Sequence, residues 1–478
     1  MKKIATLIIM LALYVGTFAQ GEIVSFTKTN TLTIADLDSV LAGFGAGSLI
    51  TPLYELDVYK VLYKTPYRTL NNLVTVSGAM VVPKNTACPV PMAMYMHGTT
   101  SDRTGVPSYG SQELTIGLLF AMLGNTVVLP DYLGLGDSDT SVIVHPYIHA
   151  WSQANTSLNM VRAGRHVQDS LGITNNGQLF LFGYSQGGFA TAATLREMET
   201  NYPTEFNVTA AAPMSGAFDL TGAQKDQIAS DSAYATPGYL PYIILSYQSI
   251  YGNLYDSIQQ VLKAPYDSLM PALFYSKNYG MGYINNQATP VPKHMVQDST
   301  LANFEADSTH PLRVALAESH LLNWAPQAPI KLFYCTEDEQ VTPLNSTNAY
   351  ASWTANGAPN VEIQNLGPYT HGDCVQYALL NGLAYFQRFS SGCVGLKEVV
   401  TAAFELFPNP STGLVILQTK GDMAAKVTVQ NILGQQVYNS QLGQGQSHTL
   451  DLSHLQAGTY IVKLQQGDVV SSRKLIIQ

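Results

Sequence analysis

Positive charge is scarce in this sequence. Its 24 Lys and Arg residues are outnumbered by 33 Asp and Glu residues, which leaves a net charge of −9. Without a basic face, the chain lacks the electrostatic character of a nucleic-acid binding protein and the polybasic patch that binds anionic membranes. We therefore expect no nucleic acid among its partners. Charged residues make up only 12% of a chain that is 46% hydrophobic, so the sequence can bury a large core, over two or three domains.

Long apolar runs are almost absent as well. The one clear example follows the positive start Met1-Lys2-Lys3, covers residues 4–15 and precedes a small-x-small site at residues 17–19. This order predicts a signal peptide over residues 1–19, with Gln20 as the first residue of the mature chain. No later segment offers the roughly 18 uninterrupted apolar residues of a spanning helix. The sequence therefore predicts a protein that leaves the cytoplasm.

Cysteine is rare too, and the few cysteines show no metal-binding pattern. There is no CxxC pair and no Cys/His spacing typical of zinc, so we predict neither a metal nor a cofactor. An even number in an oxidising compartment allows two disulfides, with three possible connectivities. A Cys335–Cys374 bridge is one hypothesis, and free buried thiols are the alternative. The four cysteines are Cys88, Cys335, Cys374 and Cys393.

The most informative stretch present is a short apolar run, Leu179–Phe182, that ends in Gly183-Tyr184-Ser185-Gln186-Gly187 and leads into a helical pattern over 189–198. A strand, a sharp turn and a helix in this order are the setting of the G-x-S-x-G nucleophile elbow. The two glycines remove side chains that would collide in so tight a turn. We predict Ser185 as a catalytic nucleophile. A Gly-rich turn with a surface serine is the alternative.

Apolar strands alternate with helical segments around this stretch. Residues 20–65 suggest a leader and a helical segment, and residues 66–83 predict a hairpin that turns at Ser77-Gly78. The pattern predicts an α/β fold of the α/β-hydrolase type, a mostly parallel sheet with helices on both faces. Reactive groups are then expected at the carboxyl ends of the strands. Further strands are predicted at 90–96, 125–129, 206–212, 329–335 and 360–364, and helices at 112–123, 152–171, 345–355 and 375–389.

The alternation stops between residues 219 and 328. This segment is predicted to be mostly helical and carries ten tyrosines between Tyr234 and Tyr283. We interpret it as a helical cap inserted over the strand ends, because aromatic rings with polar tips suit the wall of a pocket for an amphipathic substrate. A tyrosine-rich helical surface with no role in substrate binding is the alternative.

The last residues have a different character. A linker is predicted over 396–403, after a main domain at 20–395. Period-two strands follow within 404–478, at 426–430, 448–452, 460–464 and 474–478. Separated by Gly-containing turns, they predict a small antiparallel β-sandwich without a catalytic group.

A serine nucleophile needs a base, and the base needs an orienting carboxylate. The chain order Ser, acid, His of this fold points to Ser185, Asp338 and His371, each following a predicted strand. Asp338 is preferred as the acid because its loop reads Asp-x-x-Val-x-Pro, although Glu337 and Glu339 compete. Asp373 is a further alternative, more suited to a local surface contact. For the oxyanion hole we predict the backbone N–H groups of Gln186 and of Thr99, with Thr100 second to Thr99.

Other polar residues near strand ends are interpreted as structural. His97 shapes the turn before Thr99. Asp131, Arg162 and Arg165 are the residue types of a phosphate loop, but the glycines near them lack the spacing of such motifs. The remaining histidines, His145 and His149 among them, are predicted to be surface or satisfied core residues.

Several of these motifs together resemble the secreted α/β-hydrolases of the secretory lipase group, over roughly residues 50–390. The resemblance implies a capped hydrolase that acts on esters. Residues 404–478 resemble the type A sorting domain of the type IX secretion system, which implies export across the outer membrane and contact with its secretion machinery. The hydrolase resemblance rests on His97-Gly98-Thr99, residues 130–136, His145-Pro146-Tyr147, the Ser185 turn, Asp338 and His371; the sorting-domain resemblance rests on residues 407–410, 452–455, 458–460 and 474–477.

These observations together predict a secreted or cell-surface serine hydrolase that cleaves carboxylic esters through an acyl-enzyme. Its small-molecule substrate would be a lipid or carbohydrate ester. A peptidase of the prolyl-oligopeptidase type would use the same residues. A surface binding protein on an inactive hydrolase scaffold is a further alternative.

Overall fold

The computed structural model describes residues 19–43, 50–391, 404–419, 425–431, 435–443, 447–466 and 469–478. The predicted signal peptide up to residue 18, the predicted linker and Cys393 lie outside these residues. The described chain divides into two compact units. The first contains residues up to 43 and from 54 to 391, and the second contains residues 50–53 and those from 404 onward.

The strands and helices of the first unit have the following bounds. Its strands are β1 (Ile23–Leu32), β2 (Leu56–Tyr67), β3 (Thr69–Pro83), β4 (Val90–Met96), β5 (Thr126–Pro130), β6 (Asn175–Tyr184), β7 (Ala210–Met214), β8 (Ile330–Tyr334) and β9 (Val361–Asn365). Its helices are α1 (Ile34–Gly43), α2 (Gln112–Ala121), α3 (Ala150–Ser170), α4 (Gln186–Asn201), α5 (Ala223–Ile228), α6 (Tyr239–Tyr251), α7 (Tyr266–Ser276), α8 (Met281–Gln287), α9 (Asp298–Ala306), α10 (Pro311–Ser319), α11 (Leu344–Ala355) and α12 (His371–Gln387).

One sheet organises this unit, with strand order β1-β2-β3-β5-β4-β6-β7-β8-β9. Strands β4 to β9 all run parallel to one another. Strands β1, β2 and β3 pair antiparallel at one side of the sheet, where β3 is also antiparallel to β5. The α/β-hydrolase class is therefore confirmed. The helical interpretation of residues 20–65 holds only for α1, because β1 and β2 occupy a further 20 of these residues as strands. Strand β1 is mostly exposed and polar, so it lacks the apolar alternation that would have indicated a strand.

The predicted hairpin turn at Ser77-Gly78 is also wrong. Both residues lie inside the continuous strand β3, and the chain turns at Arg68, which has φ 65°. A Cβ on Gly78 would lie 2.7 Å from the carbonyl oxygen of Leu129 and 2.9 Å from the sulfur of Met160. Gly78 therefore permits close packing of β5 and α3 against the strand, and it does not form a turn.

Alternating side chains of β4 show how the sheet is covered on two faces. Met92, Met94 and Met96 belong to the core that includes α3 and α4. Tyr95 points the other way, toward Phe182, which stacks on Phe120 of α2 at 3.9 Å. Helix α12 packs on that second face. Within the described residues, no helix is long and apolar enough to cross a membrane.

The cap segment, residues 219–328, forms helices α5 to α10. Its tyrosines range from fully buried to exposed. Tyr242 and Tyr247 are fully buried, whereas Tyr275, Tyr279 and Tyr283 are exposed. The Tyr242 ring stacks on the Tyr147 ring at 4.5 Å and its hydroxyl donates to the carbonyl of Thr100. The cap segment therefore contacts the loops that follow the strands.

The second unit has two antiparallel sheets that share one core. Strands β10 (Phe404–Phe407), β11 (Leu414–Thr419) and β14 (Ser447–Asp451) form one sheet, and β12 (Ala425–Asn431), β13 (Gln436–Leu442), β15 (Gly458–Gln466) and β16 (Val469–Ile477) form the other. Side chains of both, such as Leu417 and Val462, are fully buried in that core. The expected antiparallel β module is therefore present. Strands β10, β11 and β13 were not among the predicted strands.

Candidate active site

Ser185 stands alone between β6 and α4, in a strained backbone conformation with φ 61° and ψ −121°. Its N–H donates to the carbonyl of Met214 at 2.9 Å. A Cβ on Gly187 would lie only 1.8 Å from the carbonyl oxygen of Met96, and one on Gly183 would lie 2.5 Å from the same atom. Only glycine therefore fits at either side of the serine, as the sequence analysis argued.

Asp338 and His371 form a buried hydrogen-bonded pair. The Asp338 Oδ2 atom lies 2.7 Å from the His371 Nδ1 atom, and the two residues are 5% and 6% exposed. The other carboxylate oxygen accepts the N–H groups of Gln340 and Val341 at 3.1 and 2.8 Å. With Nδ1–H donated to the carboxylate, the Nε2 atom of the ring remains free to accept a proton.

The competing carboxylates contact other groups. Glu337 is exposed and has no hydrogen bond or ion pair within the described residues. Glu339 Oε2 accepts the backbone N–H of His371 at 2.9 Å and does not reach its ring. Asp373 is bonded to Thr370, the residue before α12, so it makes a local contact. Among these groups, Asp338 is the carboxylate that meets the imidazole.

His371 is the first residue of α12, whereas the sequence analysis expected it in a loop and began the helix at Val375. The side chain of Thr370 accepts the N–H of Asp373 and caps the helix. A Thr followed three residues later by an acid is a capping signal that could have indicated this start. The Tyr184 hydroxyl donates to the carbonyl of His371 at 2.6 Å, which ties the helix start to the residue before Ser185.

The structure does not join Ser185 to His371 directly. No hydrogen bond between the serine hydroxyl and the imidazole is present among the described residues, although both side chains are buried near Tyr184. The rings of Tyr184 and His371 lie 4.9 Å apart. Ser185 and His371 are therefore both held next to Tyr184, without a closed contact between them.

Three backbone N–H groups around the Ser185 turn lack an acceptor among the described residues. Gln186 begins α4, where the first N–H groups have no acceptor within the helix. The N–H of Thr99, like that of Thr100, makes no hydrogen bond in the described part of the chain. The Thr99 hydroxyl is 3.3 Å from the Tyr147 hydroxyl. These N–H groups are free to bind an acceptor, and the geometry does not separate Thr99 from Thr100.

His145 holds the Gln186 side chain, a contact that the sequence analysis did not anticipate. Its Nδ1 atom lies 2.8 Å from the carbonyl oxygen of Leu133, and its Nε2 atom lies 2.6 Å from Gln186 Nε2. Burial lowers the pKa of His145 to about 3, so the ring is neutral and accepts from the amide. The tripeptide His145-Pro146-Tyr147 was the only sequence signal for this role.

Two polar groups are structural, as expected. His97 is fully buried, with Nδ1 2.7 Å from the carbonyl oxygen of Gly98. Asp131 is fully buried and accepts from the Ser77 hydroxyl and from the N–H of Ser108.

The Cys335–Cys374 disulfide is confirmed. It joins the end of β8 to the first turn of α12, with the two Cα atoms 6.1 Å apart and a sequence separation of 39 residues. The bridge therefore links the loop that carries Asp338 to the helix that carries His371.

Two neighbouring cavities are lined by the cap segment, one of them together with the loops that follow the strands and the other by cap residues alone. A small one is lined by Ser185, Gln186 and the rings of Tyr147 and Tyr239. A second, apolar cavity of about 120 Å³ lies beside it. Both are lined by Leu220, Gln224, Ile228 and Ile243, so a thin wall of these side chains separates Ser185 from the apolar space. No cluster of three or more potential metal ligands occurs in the described residues.

Comparison with known proteins agrees with this architecture. Lipase 6 of Candida albicans is 24% identical over 305 residues, which are 59% of this chain and 62% of that lipase. The chain thus spans less than two thirds of the length of this relative. The rice cell wall degrading esterase LipA of Xanthomonas oryzae is 27% identical, with a TM-score of 0.67 over 78% of this chain and 98% of that one. A protein of Legionella pneumophila proposed to be a hydrolase has a TM-score of 0.72 at 24% identity, over 77% of this chain and 98% of that one, and it shares the fold.

Two family matches cover most of the described chain. Residues 405–478 match the secretion system C-terminal sorting domain. Residues 112–376 match the secretory lipases, which is more than half of the 478 residues. The chain therefore belongs to the secretory lipase family and carries a C-terminal sorting domain.

Proposed function

We propose that this protein is an exported serine hydrolase that cleaves carboxylic esters with Ser185, His371 and Asp338. The observation that carries the proposal is the buried Asp338–His371 pair, joined at 2.7 Å, beside a strained serine turn in a chain of the secretory lipase family. A neutral imidazole oriented by a carboxylate is the base that a serine hydroxyl needs at neutral pH.

The proposed mechanism has two steps. Nε2 of His371 takes the proton of Ser185 as the hydroxyl oxygen attacks the ester carbonyl, and the carboxylate of Asp338 stabilises the imidazolium. The N–H groups of Gln186 and Thr99 hold the oxyanion. His371 then protonates the leaving alcohol, and water activated by the same imidazole hydrolyses the acyl-enzyme. Catalytic hydrogen bonds are often long in free enzymes, so a contact between Ser185 and His371 that closes with substrate is compatible with the structure.

The substrate is proposed to carry an apolar acyl group. The apolar cavity beside Ser185 lies behind Leu220, Ile228 and Ile243, side chains that can move more readily than backbone. Aliphatic walls favour an alkyl chain over a peptide. The Xanthomonas oryzae relative is a cell wall degrading esterase, which supports ester chemistry in this group.

Export is proposed to use both ends of the chain. The signal peptide predicted over residues 1–19 would direct the chain out of the cytoplasm, and the sorting domain at 405–478 would engage an outer-membrane secretion machinery of type IX. The mature enzyme would then act outside the cell or on its surface.

The proposal is tested with p-nitrophenyl esters of increasing acyl length and a fluorophosphonate probe. Ser185→Ala should abolish both hydrolysis and labelling because the nucleophilic oxygen is gone, while circular dichroism stays that of the wild type. Ser170→Ala, on the exposed end of α3, is the matched control and should retain full activity. Ester turnover that persists in Ser185→Ala would refute the assignment. Cleavage of prolyl amides without cleavage of esters would select a peptidase.

A further inference from the structure

Two consecutive carboxylates converge on His371. Asp338 bonds to its ring at 2.7 Å, and Glu339 accepts its backbone N–H at 2.9 Å. Successive side chains of an extended segment point in opposite directions. Here the loop curls because Asp338 Oδ1 accepts the N–H groups of Gln340 and Val341, so both carboxylates face the start of α12.

Neighbouring groups hold Glu339 in this place. Its carbonyl accepts from Gln227 Nε2, on α5 of the cap segment, at 3.1 Å, and its Oε1 atom lies 3.3 Å from Gln340 Nε2. Partial burial tends to raise the pKa of Glu339, but the hydrogen bond from the N–H of His371 and the neighbouring donors lower it on balance. The carboxyl is therefore ionised at neutral pH.

The start of α12 explains why a negative charge is useful there. The first N–H groups of a helix lack partners within it, and together they make its N-terminus positive. Thr370 takes the N–H of Asp373, which leaves the N–H of His371 for another acceptor. A positive helix end disfavours an imidazolium at its first residue. The carboxylate of Glu339 offsets this effect and accepts the N–H of His371.

We infer that Glu339 is a positioning residue for the proposed ester hydrolysis, acting through His371. Asp338 orients the ring, Glu339 holds the backbone of the same residue and adds a second negative charge, and Tyr184 fixes its carbonyl. Both carboxylates thereby stabilise the imidazolium that forms when Ser185 attacks. This inference rests on the proposed function. The ionisable groups that contact His371 or share its helix turn are Asp338, Glu339, Tyr184 and Asp373.

Three variants distinguish the effect of the Glu339 charge from that of its hydrogen bond to His371 and from that of a nearby surface charge. Glu339→Gln keeps an oxygen that can accept the N–H of His371 but removes the charge. Glu339→Ala removes both, and Glu337→Gln removes an exposed charge from the same loop. The readouts are kcat and KM of p-nitrophenyl ester hydrolysis as a function of pH, the rate of fluorophosphonate labelling, and the thermal midpoint of each variant.

For Glu339→Gln we expect kcat to fall by about 3-fold to 10-fold with little change in KM. The acidic limb of the kcat/KM profile should move to lower pH by about 0.5 pH unit, which is the size of a solvent-screened charge interaction. Glu339→Ala should lose a further factor of about 10 in kcat, and labelling should slow in parallel. Glu337→Gln should behave as the wild type.

Two results would overturn the inference. One is that Glu339→Gln and Glu339→Ala both show the kcat and pH profile of Glu337→Gln. The other is a pair that lowers only the thermal midpoint, because Glu339 would then be a helix cap with no effect on the base. A wild-type protein that neither hydrolyses esters nor reacts with the probe would instead refute the proposed function, so the two failures are distinguishable.

Discussion

At the scale of single residues, the backbone around Ser185 leaves no room for substituents. The carbonyl of Met96, at the end of β4, approaches the turn so closely that Gly183 and Gly187 have no space for a Cβ. This close approach brings the loop that carries Thr99 beside the serine. The same glycines that permit the fold therefore also permit the proposed oxyanion site.

Gly187→Ala should destabilise the protein strongly. Its Cβ would meet the Met96 carbonyl oxygen at 1.8 Å, which forces backbone movement in β4 or α4, and we expect a loss on the order of 3 kcal/mol in the free energy of unfolding. Urea denaturation followed by circular dichroism measures this change. Gly282→Ala, in the exposed helix α8 with nothing within 4 Å, is the control and should be neutral or slightly stabilising. Equal midpoints for the two variants would contradict the packing argument.

At the scale of elements, the start of α12 is fixed to several neighbours. The carboxylates of the loop after β8, the Tyr184 hydroxyl and the Cys335–Cys374 disulfide all act within its first turn. A helix held in this way positions His371 more precisely than a free loop would.

The Cys335→Ser/Cys374→Ser double variant should be less stable and less active. Removing a cross-link over 39 residues is expected to cost about 4 kcal/mol through the entropy of the unfolded chain. Urea denaturation checks that loss. Because the bridge ties the Asp338 loop to α12, kcat for ester hydrolysis should also fall, with KM little changed. A double variant with wild-type kcat below its unfolding transition would show that the disulfide stabilises the fold without positioning the base.

At the scale of the first unit, the cap segment is joined to the sheet domain by buried polar contacts. His149 lies at the start of α3, bonds to the Ser152 hydroxyl at 2.8 Å and packs edge-on against the rings of Tyr247 and Tyr251 of α6. Burial lowers the pKa of His149 from 6.5 to about 4. The neutral ring is therefore part of the interface between the cap segment and α3.

This burial makes stability depend on pH. Between pH 6.5 and about 4 the unfolded chain binds a proton on His149 that the folded chain does not, so stability is full above pH 6.5 and falls with decreasing pH. The loss at pH 4.5 is on the order of 2 kcal/mol. His149→Asn, which can still cap α3, should reduce the difference between urea midpoints at pH 7 and pH 4.5. Exposed His166→Asn is the control, and equal slopes in the two variants would contradict this account.

Much of the first unit was predictable because its signals are local. The buried strands from β4 onward and the helices between them follow from apolar runs and their periodicity, and the Ser185 turn follows from its glycines. The polar edge strand β1 and the glycine inside β3 gave misleading signals. Strand β1 forms because it pairs with a neighbouring strand, and the glycine is needed because a helix packs closely against it, and both partners are distant in the chain. In the second unit, β10, β11 and β13 were not predicted because their sequences lack a clear alternation of apolar and polar residues.

The sequence alone determined the fold class, the family motifs and the residues proposed for catalysis, because strand, turn and chain order are written in neighbouring positions. Only the tertiary structure decided which carboxylate meets the His371 ring, that Glu339 takes its backbone N–H, and that His145 holds Gln186. Those contacts join residues between 32 and 41 positions apart. Their geometry depends on how the loops after different strands pack at one edge of the sheet, which no local pattern encodes.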